Sequence, residues 1–151
     1  MNLVQFAGLS QVLTGYGKET ILPDLDTQHM AQEYLDVLNR PGLIPSTLLQ
    51  QLTTTWTAIL ASPSTIDQEQ QVQDKIVNNQ EIGPLAKNII NLWYLGIWYD
   101  IFKTSATQDF VVSAKAYKNS LVWTTIGAHP MGYSEGNFGY WNTPPIIPAI
   151  S

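Results

Sequence analysis

Residues 84–102 form the segment that most constrains the fold, because they carry two apolar stripes at helical spacing. The stripes consist of Leu85, Ile89, Trp93 and Gly96, and of Ile90, Tyr94, Trp98 and Ile101. A helix that is apolar on two faces is buried on two faces, so we predict a central helix with Pro84 in its first turn. Glycine in a helix costs about 1 kcal/mol relative to alanine. Gly96 therefore predicts the close approach of a neighbouring helix.

Periodicity and stop signals predict five or six helices in all. The first covers residues 3–13 and ends at Gly15, which can adopt the left-handed cap conformation. The second follows Asp24 or Asp26, whose carboxylate can accept hydrogen bonds from the first free amides. It ends before Pro41, since the residue before a proline disfavours helix. Its apolar residues recur four apart, as expected of one buried face: Met30, Tyr34 and Leu38.

Three further helices complete the predicted bundle. Ser46 is predicted to cap the third, which Pro63 closes and whose buried face holds Leu49, Leu52, Trp56 and Ile59. The glutamine-rich fourth, residues 65–77 with Ser64 as cap, is predicted to lie on the surface. The sixth, after the central helix, begins at Asp109. Its inward residues are Phe110, Ala114, Tyr117 and Leu121, with Val112, Ala116 and Trp123 beside them.

Residues 127–151 differ from the rest of the chain, since they hold four of its ten glycines, four of its nine prolines and a single charge, Glu135. Proline and glycine recur too often for a helix, yet the segment is aromatic and therefore unlike a polar tail. We predict an irregular arm that packs on its own domain or on a partner. Its predicted partner-binding residues are Tyr133, Phe138, Tyr140 and Trp141. The predicted class is thus all-α: a helical domain over residues 1–126 and an irregular arm over residues 127–151.

Composition excludes several classes of function. Only 13% of residues are charged, against about 25% in an average globular chain, which indicates that uncharged surface is hidden against something else. A net charge of −5 with Arg40 as the single arginine lacks the basic clusters that nucleic-acid binding needs. Without cysteine there is no disulfide, thiolate nucleophile or cysteine-based zinc site. The most apolar stretch, residues 89–99, is shorter than the roughly 20 residues of a spanning helix, so no direct membrane insertion is expected.

Catalytic and cofactor motifs are missing from the sequence. The two histidines, His29 and His129, belong to no run with metal-ligand spacing, and neither a P-loop nor a G-x-G-x-x-G run occurs. Residues 132–136 spell G-x-S-x-G, but the pattern lacks the strand and helix that present a nucleophilic serine. We therefore predict no catalytic residue, no metal and no cofactor. An enzyme that uses His129 with Ser134 or Glu135 is the weakest alternative, since no orienting group can be identified.

Several short motifs follow one another in a characteristic order. They are Phe6-x-x-Leu9-Ser10-x-x-Leu13-Thr14-Gly15, Tyr34-Leu35-x-x-Leu38, Trp93-Tyr94-Leu95-Gly96, Tyr117-x-x-x-Leu121-x-Trp123 before Pro130, and Gly136-x-x-Gly139-Tyr140-Trp141 before Pro144-Pro145. This order resembles the small (gamma) subunit of bacterial membrane-bound FAD-dependent sugar and polyol dehydrogenases, namely the sorbitol, fructose and glucose dehydrogenases that work as three-subunit complexes. The resemblance spans nearly the whole chain and is more specific in its C-terminal half.

The resemblance implies an accessory role without a cofactor. In that family the large subunit holds FAD and an iron–sulfur cluster, and a multihaem cytochrome c subunit passes electrons to quinone at the membrane. The small subunit is needed for maturation of the large one, and its twin-arginine leader carries the folded partner to the periplasm. The expected partners are therefore a large FAD-containing dehydrogenase subunit and, indirectly, a cytochrome c subunit. The expected location is the periplasm, at the inner membrane through the complex.

Two departures from the family pattern keep alternatives open. Family members commonly have a cysteine in the loop after Pro130, close to Tyr133 and Ser134, and its absence here removes a covalent tie to the partner. The sequence also begins without a leader, so a cytoplasmic location is the second expectation. The competing functional interpretation is a stand-alone helical protein that binds a small apolar ligand or an unrelated partner. In either case Trp93 and Trp123 are expected to pack mainly within the domain.

Overall fold

The structure is a computed structural model that describes residues 1–63, 67–102 and 108–133. Its elements in chain order are α1 (Leu3–Thr14), α2 (Lys18–Ile21), α3 (Met30–Leu38), α4 (Ser46–Leu60), α5 (Gln68–Val72), a π-helical segment (Gln73–Val77), α6 (Gly83–Leu95), β1 (Ile97–Trp98), β2 (Phe110–Val111), α7 (Ala114–Lys118) and α8 (Leu121–Ile126). The predicted, mostly helical fold is confirmed. The predicted cap Ser64 and the arm beyond Tyr133 lie outside the described residues.

The ends of α1 show local sequence determining local structure. The Asn2 side chain accepts from the amide of Gln5, and the Gln5 side chain accepts from the amide of Asn2, so two otherwise free donors are satisfied reciprocally. At the other end Gly15 has a φ of 75° and donates to the carbonyl of Gln11. This left-handed cap confirms the helix end predicted at Gly15.

Two predicted helix starts are corrected. Ser46 is the first residue of α4 rather than its cap, because Pro45 occupies the cap position and no side chain caps the helix. Asp26 accepts from the amides of Gln28 and His29, which closes a turn just before α3. The cap residue of α3 is His29, with a φ of 54°. The predicted buried face of α4 is confirmed by Leu52, Trp56 and Ile59, while Leu49 is half-buried and packs against the core.

The central helix is shorter than predicted. Instead of running to residue 102, α6 ends at Leu95, where Gly96 adopts a left-handed conformation with a φ of 68°. Asn88 then holds the departing chain, since its side-chain amide donates to the carbonyl of Tyr99 and its side-chain oxygen accepts from the Tyr99 amide. The helical spacing of the apolar residues after Gly96 therefore misled the prediction, because the backbone turns out of the helix at this glycine.

A short hairpin replaces the predicted start of the last helix. Ile97 pairs with Val111 and Trp98 with Phe110 in an antiparallel arrangement, so the helix predicted from Asp109 was wrong in its first turns. It begins instead at Ala114, because the side chain of Ser113 accepts from the amide of Ala116 and caps α7. A break at residues 119–120 then separates α7 from α8.

One apolar cluster joins all the larger helices of the described chain. Its residues come from every helix longer than eight residues and from β1, α7 and α8. At its centre Trp93 is 3% exposed and packs edge-on against Tyr34, with ring centroids 4.9 Å apart. A Cβ atom added to Gly96 would lie 2.8 Å from the carbonyl carbon of Ala116. The predicted close approach of a helix to Gly96 is thus confirmed, and α7 is that helix.

Candidate partner-binding site

An aromatic patch formed by Tyr117, Trp123 and Tyr133 lies where the arm begins. The rings of Tyr117 and Trp123 meet edge-on at 5.4 Å, and those of Tyr117 and Tyr133 are 6.1 Å apart. Lys118 places its ammonium 4.7 Å from the centre of the Tyr133 ring, a cation–π contact. The indole of Trp123 donates to the carbonyl of Tyr117 at 2.8 Å. These contacts fix the patch on α7 and α8.

The first residues of the arm fold back onto this patch. The amide of Ala128 donates to the carbonyl of Trp123, and the amide of Tyr133 donates to the carbonyl of Pro130. The hydroxyl of Tyr117 lies 3.4 Å from the carbonyl oxygen of Met131, at the long end for a hydrogen bond. Residues 127–133 are therefore held against the helical body rather than leaving it directly.

Apolar surface surrounds the aromatic patch. Tyr133 is 39% exposed, Met131 78% and Ile126 61%. Isolated exposed apolar residues are common, but these three fall within eight consecutive residues, and concentrated apolar surface marks interaction sites. Of the four residues predicted to bind a partner, the structure describes Tyr133. Phe138, Tyr140 and Trp141 lie outside the described residues.

A cleft adjoins the patch on the side of α2 and α3. Its volume is about 290 Å³, and it lies between the loop after α2 and the α7–α8 pair. Trp123 of the aromatic patch lines it, and so does Lys118, which contacts Tyr133. Trp93 forms part of its wall, and the indole N–H of Trp93 has no hydrogen-bond partner among the described residues. An unpaired buried donor costs roughly 1–3 kcal/mol of stability.

An ion pair fastens the loop of this cleft to α7. The ammonium of Lys115 lies 2.6 Å from a carboxylate oxygen of Glu33 on α3 and donates to the carbonyl of Gln28 at 2.6 Å. Partial burial by itself would raise the pKa of Glu33. Hydrogen bonds from Lys115 and Ser113, with the charges of Lys115 and Arg40, outweigh it and lower that pKa below its ordinary value.

Of the residues considered for catalysis, the structure describes the two histidines. His29 is exposed at the start of α3, with its imidazole 4.0 Å from Asp26, whereas His129 lies in the loop after α8. Ser134 and Glu135 lie outside the described residues. Within residues 1–63, 67–102 and 108–133, no group of three or more histidine, aspartate or glutamate side chains is arranged to hold a metal ion.

Comparison with known protein families matches residues 2–145 to the family described as membrane-bound FAD-containing D-sorbitol dehydrogenase. The chain belongs to this family. The match covers almost all of the sequence, so it includes the helical body, the aromatic patch and much of the arm. Membership makes the chain a component of a membrane-associated, FAD-containing sorbitol dehydrogenase system. No curated protein and no solved structure matches it.

The family name raises the question of whether the chain itself fits FAD. Dinucleotides bind at a glycine-rich turn between a parallel strand and a helix, whereas the described sheet is a pair of two-residue antiparallel strands. The cleft beside the aromatic patch is enclosed by short helices and loops and contains no such turn. The described part of this sorbitol dehydrogenase family member therefore does not fit the cofactor. Among its helices, none has the length and apolarity to cross a bilayer.

Sequence reasoning missed Lys118 and the cleft. The periodicity assigned Tyr117 to the inward face of a helix from Asp109, and gave no role to the lysine beside it. The contact of Lys118 with Tyr133 joins residues that are separated by a helix and a turn, and no local pattern encodes it. The spacing of Tyr117 and Trp123 was the one available signal, because it recurs within the family motif.

Proposed function

We propose that this chain is a non-catalytic accessory subunit of a membrane-associated, FAD-dependent sugar or polyol dehydrogenase complex. Its role is to bind the large flavoprotein subunit and to support that subunit's maturation, stability or export. Family membership over residues 2–145 supports the assignment to this kind of complex. The observation that carries the role is the aromatic patch, which is exposed at the start of the arm and held on a helical body that does not fit FAD.

The proposed interface consists of Tyr133, Phe138, Tyr140 and Trp141. Aromatic residues dominate the energetics of protein interfaces because they bury a large area at low cost in conformational entropy. Tyr133 is the described member of the set, and its ring already rests on Tyr117 and Lys118. A partner that covers its exposed side would bury an aromatic side chain that is pre-positioned, which reduces the entropy lost on binding.

The remaining parts of the proposal follow from this role. The flavin belongs to the large subunit, and substrate choice lies with that subunit as well. The chain would associate with a cytochrome c subunit only indirectly, through the same complex. The proposed location is the periplasmic side of the inner membrane, where the complex holds the chain.

The test is co-expression of the full chain with the large flavoprotein subunit of a D-sorbitol dehydrogenase, followed by affinity purification of the complex. We expect Tyr133→Ala and Trp141→Ala each to weaken association. Hot-spot aromatics cost about 2 kcal/mol or more when truncated, which is about thirtyfold in Kd. Both variants should retain the wild-type circular dichroism spectrum and melting temperature.

Val4→Ala is the matched control, because Val4 is also an exposed apolar residue, 74% exposed. It lies near the start of α1, whereas the chain meets α8 just after the end of α1, at Tyr16, whose hydroxyl is hydrogen-bonded to Thr125. This control should bind like the wild type. Undiminished complex with both arm variants would show that the arm is not the interface. Absence of any complex would favour a stand-alone binding protein, for which the 290 Å³ cleft is the candidate ligand site.

A further inference from the structure

Several polar groups that line the cleft have hydrogen-bonding capacity that the described chain does not use. The hydroxyls of Thr20, Thr27 and Thr124 make no hydrogen bond to another described residue, and all three residues are exposed. The side-chain amide of Asn119 donates to the carbonyl of Lys115, which leaves its side-chain oxygen able to accept. A hydroxyl both donates and accepts, so the lining offers donors and acceptors from both of its walls.

The two walls of the cleft are held in place by the chain itself. In the loop after α2, a carboxylate oxygen of Asp26 accepts from the amides of Gln28 and His29 at 3.1 and 2.6 Å, and Lys115 donates to the carbonyl of Gln28. On the opposite wall the hydroxyl of Ser120 donates to a backbone carbonyl one turn earlier. A molecule that enters the cleft therefore meets walls that are already ordered, which lowers the entropy lost on binding.

Size and charge restrict what the cleft can bind. A cavity of roughly 150 Å³ holds benzene, so a cleft of about 290 Å³ has room for roughly twelve non-hydrogen atoms, the size of one six-carbon sugar or sugar alcohol. Among its described lining residues Asp26 is the single acid and Lys118 the single base, so a charged ligand is attracted by one and repelled by the other.

An apolar ligand does not suit this lining either. It would cover the threonine hydroxyls and the Asp26 carboxylate without hydrogen-bonding to them, and burying unpaired polar groups costs free energy. The apolar part of the lining, which includes Leu25 and Trp123, is suited to carbon–hydrogen surface. A neutral molecule that carries a hydroxyl on each carbon of a short chain or ring matches both kinds of surface.

We propose that the cleft between the α2–α3 loop and the α7–α8 pair binds one neutral, six-carbon polyol or sugar. Asp26, Asn119 and the hydroxyls of Thr20, Thr27 and Thr124 hydrogen-bond its hydroxyl groups, and Trp123 packs against its carbon–hydrogen surface. The bound molecule joins the loop to the α7–α8 pair. This inference rests on the cleft alone and does not depend on association with a flavoprotein.

Titration of the isolated full chain with D-sorbitol, followed by two-dimensional amide NMR, tests the proposal. We expect saturable shifts confined to residues 20–28 and 118–124, with a Kd of roughly 1 mM for a ligand of this size. Osmolytes such as sucrose stabilise folded proteins by exclusion from their surface, and that effect does not saturate. Shifts that grow linearly with D-sorbitol, or that spread evenly over the chain, would overturn the proposal.

Valine variants identify the groups that bind, because valine has the shape of threonine without its hydroxyl. We expect Thr27→Val and Thr124→Val each to raise the Kd for D-sorbitol roughly fivefold, the usual effect of one hydrogen bond. Thr54→Val, at an exposed threonine on α4 outside the cleft, is the matched control and should leave the Kd unchanged.

A second probe tests whether hydroxyl groups are what the cleft recognises. 1-Hexanol has the same carbon chain as D-sorbitol with a single hydroxyl, and we expect it to cause no saturable shift at these residues at millimolar concentration. Wild-type affinity for D-sorbitol in both cleft variants, or equal affinity of the wild type for 1-hexanol, would contradict the proposal. Every measurement uses the isolated chain, so the outcome is independent of the co-purification test above.

Discussion

Gly96 is the residue where backbone conformation and packing impose the strictest demand. Its φ of 68° lies in the left-handed region, and α7 passes so close that a Cβ atom would contact the backbone of Ala116 at 2.8 Å. Gly15 shares the left-handed conformation, with a φ of 75°, but a Cβ atom there would meet open space. A substitution at Gly15 therefore measures the cost of the left-handed conformation alone, and one at Gly96 measures that cost together with the cost of steric crowding.

We predict that Gly15→Ala destabilises the protein by about 1–2 kcal/mol, the cost of the left-handed conformation for an L-residue. Gly96→Ala should cost about 1–3 kcal/mol more, because the added methyl group collides with backbone atoms that cannot rotate away. Urea denaturation gives both free energies of unfolding. Equal losses for the two variants would mean that α7 moves away from Gly96 at little cost.

Buried donors are a second feature at this scale. The hydroxyl of Tyr34 and the indole N–H of Trp93 are buried without hydrogen-bond partners among the described residues, and their rings are in contact. Burial raises the pKa of Tyr34 strongly, with a smaller contribution from the charge of Glu33, so its hydroxyl stays protonated. The two unpaired donors lower the stability of the fold, whereas the two rings raise it by filling the core.

At the scale of elements, Lys115 joins α7 to α3 and to the loop of the cleft. Its ion pair with Glu33 bridges residues that are far apart in sequence, and both side chains are only partly exposed. Because the pKa of Glu33 is lower in the folded chain than in the unfolded one, the unfolded state binds more protons as the pH falls below the ordinary value of 4.5. Stability contributed by this group is complete above that value and is lost as the pH falls through the folded pKa.

We predict that Glu33→Gln lowers the free energy of unfolding at pH 7 and flattens its decline between about pH 5 and pH 3. Glu69→Gln, at an exposed position on α5, is the matched control and should keep the wild-type acid dependence. Urea denaturation at several pH values measures both. If Glu33→Gln retained the full acid slope, the ion pair with Lys115 would not persist in solution.

At the scale of the whole molecule, the single apolar cluster predicts one cooperative unfolding transition. The cluster includes side chains from α1 through α8, so no group of helices has a separate core. Helix content followed by circular dichroism should therefore fall at the same urea concentration as tryptophan fluorescence, to which the buried Trp56, Trp93 and Trp98 contribute three of the five indoles. Two separated transitions would show that the predicted helical domain, residues 1–126, consists of independent parts.

The sequence alone determined features that depend on neighbouring residues. The capping box at Asn2 and the left-handed cap at Gly15 fix the ends of α1 within a few residues, and the spacing of Leu52, Trp56 and Ile59 determines the buried face of α4. Such features can be predicted because each is a contact between residues close in the chain. The same holds for the ordered motifs by which the family was recognised.

Only the tertiary structure decided where α6 ends and how the site is assembled. Helical spacing continues past Gly96, but this residue adopts a left-handed conformation where α7 packs against it, and the chain that follows pairs with β2 instead of continuing the helix. Likewise, the contacts of Lys118 with Tyr133 and of Lys115 with Glu33 join residues that are not neighbours in the sequence, and only the folded chain brings them together. Contacts of this kind are set by the packing of whole elements, and a local pattern of apolar and polar residues does not encode them.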